Sequence, residues 1–313
     1  MISVLILTKN EAQDLPGCLQ SVRWSDDVCV FDSGSTDSTA TIAKQAGARF
    51  VQRAGSSEKA FGGDEAAHKN WALANIPFQH KWVFHLDADE RVPPELAKSM
   101  REAVANPGDN VAFRVRRRDF WEDTWLKHAV ASSFYIRLFR RDKMRYERLI
   151  NPVSIADGPV GEVAGYLDHY PFSKGMTHWL SKHNAYSSLE AEQIVRNRAA
   201  RREFSFSQAF LAKDFNQRRF HQKELFYRIP ARPLLKFFLL YVVRRGFLDG
   251  RAGLNYALLQ SFYESIIVFK TRELTGKSAA SGGTLQVPRS VSTQAGVSDV
   301  NLEGFHANTS SID

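Results

Sequence analysis

Trp82-Val83-Phe84-His85-Leu86-Asp87-Ala88-Asp89-Glu90-Arg91 decides the fold. Trp82 to Leu86 form a nearly continuous apolar and aromatic run that stops abruptly at charge. Such a run, without polar alternation, reads as a strand buried on both faces of a parallel sheet. Its end delivers two acids separated by a small residue. Alternate residues of a strand point the same way, so Asp87 and Asp89 are expected to converge on one hard cation.

Upstream of this run, short β-rich segments alternate with helical ones. Ile2 to Leu7, Val28 to Phe31 and Arg49 to Gln52 read as strands. Glu11 to Val22, Thr36 to Ala46 and Ala66 to Ala74 read as helices, the second closed by Gly47. This order predicts an open α/β fold around a mostly parallel, Rossmann-like sheet. Downstream, a helix through Leu96, Met100 and Val104 ends near Asn106-Pro107-Gly108, and Val111 to Arg116 and Phe134 to Phe139 continue the sheet. Gly158, Pro159, Gly161 and Gly165 mark a turn-rich stretch; polar helical patterns run from Trp179 to Lys223, and two aromatic helices follow Pro233. The expected organisation is a catalytic domain over 1–175, a helical region over 176–275 and a flexible Ser/Gly/Thr/Ala-rich tail over 276–313.

Composition narrows the function classes. With 313 residues and 43% hydrophobic content, the chain can bury a large core, which excludes wholesale disorder. Two cysteines, Cys18 and Cys29, are too few for a four-thiolate zinc site or a disulfide scaffold, and a reducing cytoplasm is the expected compartment. The amino-terminal stretch lacks a basic leader and cleavage site, and no apolar run approaches the ~20 residues needed to cross a bilayer. The net charge of +8 suits a phosphate-rich partner. That charge is dispersed and no nucleic-acid-binding module is visible, so nucleic acid is not expected as the partner.

In open α/β sheets ligands bind beyond the carboxyl ends of the strands, so the polar residues that follow each strand carry the chemistry. Thr8-Lys9-Asn10-Glu11 follows the first strand and can hold a base, ribose or phosphate. Asp32-Ser33-Gly34-Ser35-Thr36-Asp37-Ser38-Thr39 follows the second. There Asp32 can accept hydrogen bonds from a base or sugar, while Asp37 or its neighbours cap the next helix. Asp87 and Asp89 are the third cluster.

Together these three clusters resemble the family 2 glycosyltransferases, which have the GT-A fold. Lys69-Asn70, Arg137-Leu138-Phe139-Arg140-Arg141, Gly158-Pro159-Val160-Gly161, Leu167-Asp168-His169-Tyr170 and Lys182-His183-Asn184-Ala185-Tyr186-Ser187 resemble the branch that builds lipopolysaccharide cores and surface polysaccharides. The resemblance implies an inverting transfer from a nucleotide sugar, a UDP-sugar first among them, to a glycolipid or oligosaccharide acceptor. It implies Mg²⁺ or Mn²⁺ held by Asp87, Asp89 and His169. It also implies a nucleotide site lined by Thr8, Asn10, Glu11, Asp32, Ser33, Lys69 and Asp87.

An inverting transfer needs a carboxylate to take the acceptor's proton. Where this branch often carries Glu, the chain has Pro152 in Ile150-Asn151-Pro152, and Pro cannot serve. Glu147, Glu122 and Asp123 are the substitutes, the last two lying between Trp121 and Trp125, rings suited to stacking on a sugar. Two other readings follow. One is a nucleotidyltransferase that makes an activated sugar, disfavoured by the lack of glycine in Thr8 to Glu11. The other is a nucleotide-sugar-binding protein with impaired turnover, suggested by Pro152. The basic, aromatic segment from Arg232 to Phe269 is expected to rest in a lipid headgroup layer, peripheral on the inner face of the plasma membrane, with a homodimer left open.

Overall fold

β1 (Ile2–Thr8) is buried at every position. Val4 and Ile6 enter one core, Leu5 and Leu7 another, so period-two alternation feeds apolar side chains to both faces of the sheet. β1 pairs in parallel with β2 (Val28–Asp32) and β4 (Trp82–Asp87), and β2 pairs in parallel with β3 (Arg49–Gln52). α1 (Leu15–Ser21), α2 (Thr39–Gln45) and α3 (Glu65–Asn75) connect these strands. Leu15 and Leu19 of α1 close one face, and Leu73 of α3 helps close the other. The computed structural model describes residues 1–53, 65–147, 153–199, 205–211, 215–229 and 231–280.

A tight turn takes β4 into the two-residue β5 (Glu90–Arg91), and Pro94 opens α4 (Pro94–Ala105), a position that needs no amide donor. Then come β6 (Ala112–Trp121), β7 (Thr124–Trp125), β8 (Phe134–Arg140), β9 (Met144–Glu147), β10 (Val153–Ala156) and β11 (Val160–His169). The sheet order is β3-β2-β1-β4-β8-β6-β11-β5, with β7 hairpinned on β6 and β9–β10 as a separate ribbon. β8 lies antiparallel to both β4 and β6, and β6 is parallel to β11. The carboxyl ends of β1, β2, β4, β6 and β11 therefore share one edge.

The open α/β class and its mostly parallel sheet stand as expected. The stretch around Gly158 to Gly165 does not end the sheet, however; it is most of β11. Its glycines permit a bulge: the register against β6 shifts between Glu162 and Tyr166, and Gly165 has φ +102 with Leu96 backbone 3.4 Å from where a Cβ would lie. The first helix starts at Leu15 rather than Glu11, because Asn10 is left-handed (φ 56) and Pro16 suits a helix's first turn.

The described residues form two compact units, Met1–Lys174 and a helical one from Gly175 onward. In the latter, α5 (Gly175–Ala199) packs with α9 (Gly250–Ala280), and α6 (Phe206–Leu211) with α7 (Phe215–Arg228). α8 (Arg232–Phe238) runs into a π-turn (Leu239–Val243) and a 3₁₀ turn (Gly246–Asp249) before α9. Helix α9 extends past residue 276, the expected start of the tail; residues 281–313 lie outside the described residues.

Candidate functional site

The first strand ends supply a loop pair tied together by hydrogen bonds. Thr8 and Asp32 are register partners, and Thr8 Oγ1 donates to Asp32 Oδ1 at 2.8 Å. The fully buried Asp32 also accepts from the amides of Gly34 (2.9 Å) and Ser35 (2.7 Å), from Ser35 Oγ (2.5 Å) and from Gln52 Nε2 (3.2 Å). Lys9 Nζ donates to the Ser33 and Gly34 carbonyls (3.1 and 2.7 Å). Asn10 donates its amide to Ser35 Oγ (2.7 Å), and its Oδ1 accepts the Thr36 amide (2.8 Å). Asp37 accepts the Thr39 amide at 3.0 Å, where α2 begins. Of the residues expected to face a nucleotide, Thr8 and Asp32 thus bond to each other, and Asn10 bonds to Ser35 and Thr36 of the facing loop. Ser33 Oγ lies 3.1 Å from His68 Nε2.

Glu11 differs from its neighbours. Lys174 Nζ donates to its Oε1 at 2.6 Å, whereas Oε2 is buried without a hydrogen bond. Burial pushes its pKa up to about 7, with Lys174 opposing and Asp89 and Asp14 adding to the rise.

The second half of the edge is a charge cluster. β4 ends at Asp87, so strand alternation does not carry on to Asp89, which sits in the turn. Each acid consequently faces its own basic partner. Asp87 Oδ2 is 2.9 Å from Arg137 Nη2, and its Oδ1 is 3.4 Å from His85 Nε2. Burial opposes the Asp87 charge, but Arg137 and His85 outweigh it and hold the carboxyl well below the usual range. The same Arg137 nitrogen is 2.9 Å from Glu90 Oε1, while Glu90 Oε2 accepts the Asp87 amide at 2.9 Å. Burial raises Glu90 to about 7 despite Arg137.

Asp89 Oδ2 lies 3.4 Å from His169 Nε2. The opposite ring nitrogen, Nδ1, is 2.5 Å from Asp119 Oδ1. Register explains the meeting: His169 of β11 pairs with Asp119 of β6 on one side and Glu90 of β5 on the other. Arg117 Nε is 3.1 Å from Asp119. Burial and Arg117 act against the imidazolium, yet Asp89 and Asp119 outweigh them and lift His169 to about 9.

This donor set offers a divalent ion two protein ligands, Asp89 and a His169 that must first give up its proton. One carboxylate and one imidazole stand 3.4 Å apart, and a carboxylate behind the imidazole fixes its orientation, as metal-binding histidines commonly require. Among the described residues no three His, Cys, Asp or Glu side chains converge closely enough to hold a metal. A cation here would therefore need ligands from a substrate's phosphates and water, the habit of Mg²⁺.

The other expected residues lie elsewhere. Lys69 Nζ pairs with Glu65 at 2.7 Å and sits 5.2 Å from the Tyr146 ring centroid. Glu147 is exposed on the β9–β10 ribbon, 3.0 Å from Arg145. Glu122 (φ 50) and Asp123 are exposed and form the two-residue turn between β6 and β7. Trp121 packs against Phe172 (4.4 Å between ring centroids) and Trp125 against Tyr166 (5.3 Å). Ile150, Asn151 and Pro152 lie outside the described residues. Sequence reasoning missed Asp119, Arg117 and Lys174, whose roles arise from contacts distant in sequence.

Residues 3–161 match the family model described as "Glycosyl transferase family 2". Over 275 residues the chain is 27% identical to the lipopolysaccharide core biosynthesis glycosyltransferase LpsC of Rhizobium meliloti, covering 82% of this chain and 89% of that protein. It is similar in structure to S. aureus TarS 1-349 in complex with UDP (14% identity, 91% of this chain, 93% of that one, TM-score 0.42). A further similarity is to glucosyl-3-phosphoglycerate synthase from Mycobacterium tuberculosis in complex with Mn²⁺, UDP and glucosyl-3-phosphoglycerate (24% identity, TM-score 0.31). That match covers 38% of this chain, which spans 43% of the synthase chain.

Proposed function

Because the chain belongs to glycosyl transferase family 2, we propose that it moves a sugar, with inversion, from a nucleotide sugar to a lipid-linked glycan in lipopolysaccharide or surface-polysaccharide assembly. Membership of that family decides for glycosyl transfer over nucleotidyl transfer. The carrying observation for the finer reading is the Asp89–His169–Asp119 line at the carboxyl edge of the sheet. Asp89 and His169 would hold Mg²⁺ or Mn²⁺, with Asp87 neutralised beside them by Arg137. When bound, the ion neutralises charge on the departing diphosphate.

The nucleotide would rest against the β1 and β2 loops, which Asp32 holds in shape. Glu11, whose Oε2 lacks a hydrogen bond, would accept from a ribose or sugar hydroxyl. The acceptor hydroxyl attacks the anomeric carbon, its proton passes to a carboxylate, and the bond to the diphosphate breaks on the opposite face. Glu122, Asp123 and Glu147 are the candidates for that base. The hairpin pair is favoured because Asp119, just before it on β6, contacts His169. The chain would work at the inner face of the plasma membrane, where anionic lipid suits its net charge of +8.

Thermal stabilisation by UDP-, GDP- and dTDP-sugars, each with and without Mn²⁺, tests this directly, since a ligand of the folded state raises the melting midpoint. A UDP-sugar shift that needs Mn²⁺ is expected. No shift with any donor would refute the reading.

A further inference from the structure

The helical unit is inverted in polarity between α8 and α9. Arg232 and Lys236 of α8 are buried at 3% and 5% exposure, and Gln260 and Glu264 of α9 at 1% each. Each pair is one helical turn apart, so a polar stripe on each helix faces inward. Arg232 Nε is 3.4 Å from Glu264 Oε2, and Ser261 Oγ donates to the Pro233 carbonyl at 2.8 Å. Opposite these stripes, Leu234, Phe238, Val243, Phe247, Leu248 and Phe262 are exposed, Leu234 at 71%. A helix pair packed for water sorts its side chains the other way. Apolar residues outside and ions inside are the arrangement of a surface that meets a second apolar medium.

The charges identify that medium. Between residues 229 and 272 the only acids are Asp249 and Glu264, and both are buried. Arg245 and Arg251 are exposed. Arg245 adopts a left-handed backbone (φ 59) at the turn between Val243 and Phe247, among the apolar residues. The exposed charge in this stretch is therefore cationic, which suits lipid phosphates and would repel a second copy of the same face. Among the described residues no helix is long and apolar enough to cross a membrane, so the surface would lie in the plane of the bilayer.

We infer that the outer face of α8, the two short turns and α9 embeds in the headgroup–acyl boundary of an anionic bilayer. Phe238, Val243, Phe247 and Leu248 enter the acyl region, and Arg245 and Arg251 bind lipid phosphates. This deepens the peripheral placement proposed above and rests on it.

Co-sedimentation of the full chain with phosphatidylcholine vesicles, with and without phosphatidylglycerol, tests it. Binding at least ~10-fold tighter to the anionic vesicles, weakened by salt, is expected. Phe238→Asp/Phe247→Asp should abolish binding to both, and Arg245→Glu/Arg251→Glu should remove only the anionic preference. Both variants change exposed side chains and should keep the wild-type melting temperature. A nitroxide on Phe247→Cys gives a second readout, Cys18 and Cys29 being buried; its accessibility to oxygen over an aqueous nickel chelate should rise when vesicles are added. A wild-type chain left in the supernatant with anionic vesicles at low salt, or an unchanged nitroxide, would overturn the inference. So would a dimer broken by Phe238→Asp/Phe247→Asp while vesicle binding persists. Vesicle binding without turnover of any nucleotide sugar would defeat the transfer reading and leave this one standing.

Discussion

The two halves of the sheet's carboxyl edge are built on opposite terms. At β1 and β2, Asp32 accepts five hydrogen bonds and its neighbours bond to one another, so that half is finished before any ligand arrives. At β4, β6 and β11, buried acids and bases stand in chains: Asp87–Arg137–Glu90, and Asp89–His169–Asp119. Burial disfavours charge there; pairing holds Asp87 and Asp119 ionised and His169 protonated, whereas Glu90 stays raised to about 7 despite Arg137. A rigid hydrogen-bonded loop suits the recognition of a base or ribose. A charge network suits a ligand that brings charge of its own, because the pairs can be exchanged for it.

The largest expected effect falls on the charged half. Asp89→Ala should lower kcat for sugar transfer or donor hydrolysis by about 10²–10³, with little change in melting temperature. Asp87→Ala should instead destabilise the fold, by about 1–2 kcal/mol given that its carboxylate is partly exposed, because Arg137 and His85 lose the carboxylate they share. Denaturant titrations and single-turnover rates on both variants separate these roles. Equal loss of rate with no loss of stability from Asp87→Ala would erase the distinction between the two acids.

Next in size is a change one residue removed from the proposed cation. Asp119 holds His169 Nδ1, so that Nε2 points at Asp89. Asp119→Asn should therefore weaken Mn²⁺ binding by about 10–100-fold, read as free Mn²⁺ by electron paramagnetic resonance with no substrate present. Unchanged Mn²⁺ affinity would leave Asp119 a merely structural partner.

Asp89 and Asp119 also mark the limit of what the sequence discloses. β1, β2 and β4 are legible because each is a near-continuous apolar run, and Asp87 and Asp89 because they break one. β11 is not legible: its Gly161 and Gly165 read as turns until the bulge that needs them is seen against β6. Asp119 looks like one more charge after Arg116-Arg117-Arg118. Only the pairing of β6 with β11, residues some fifty positions apart in sequence, sets it against His169. Asp32 shows the converse error. Its position after β2 is plain, but the donors that surround it come from Thr8 and Gln52 on neighbouring strands as well as from its own loop.

A smaller effect is expected on the hydrogen-bonded half, and on stability before activity. Asp32→Ala strips the acceptor from the Gly34 and Ser35 amides and from Thr8 and Gln52; water can reach part of the opened loop. A loss of roughly 2 kcal/mol in unfolding free energy is expected from denaturant midpoints, together with weaker binding of every nucleotide regardless of metal. If Asp32→Ala instead left stability intact and abolished binding of one base alone, Asp32 would be a direct base contact and the two halves would no longer differ in kind.

The smallest effect tests the one residue of the first half that resembles the second. Glu11 is buried beside Lys174 with its pKa raised from 4.5 to about 7. Between those pH values the unfolded chain has released a proton that the native chain retains, so the contribution of Glu11 to stability falls as pH rises from about 4.5 to about 7 and is constant above. His169 acts in a separate window: raised from 6.5 to about 9, it contributes fully below 6.5 and its contribution is lost as pH rises through 9. Glu90 acts in the same window as Glu11 with the same sign, and His68, His85 and His183, pushed down to about 4 by burial, act with the opposite sign, so Glu11 is read as a difference between wild type and variant. The unfolding free energy of the wild type relative to Glu11→Gln, measured from pH 4.5 to 7 without divalent ions, should decline by about 1 kcal/mol, discounted for the partial exposure of Glu11. A difference that stays flat across that window would mean that Lys174 keeps Glu11 ionised, and the carboxylate would then belong with the saturated groups around Asp32.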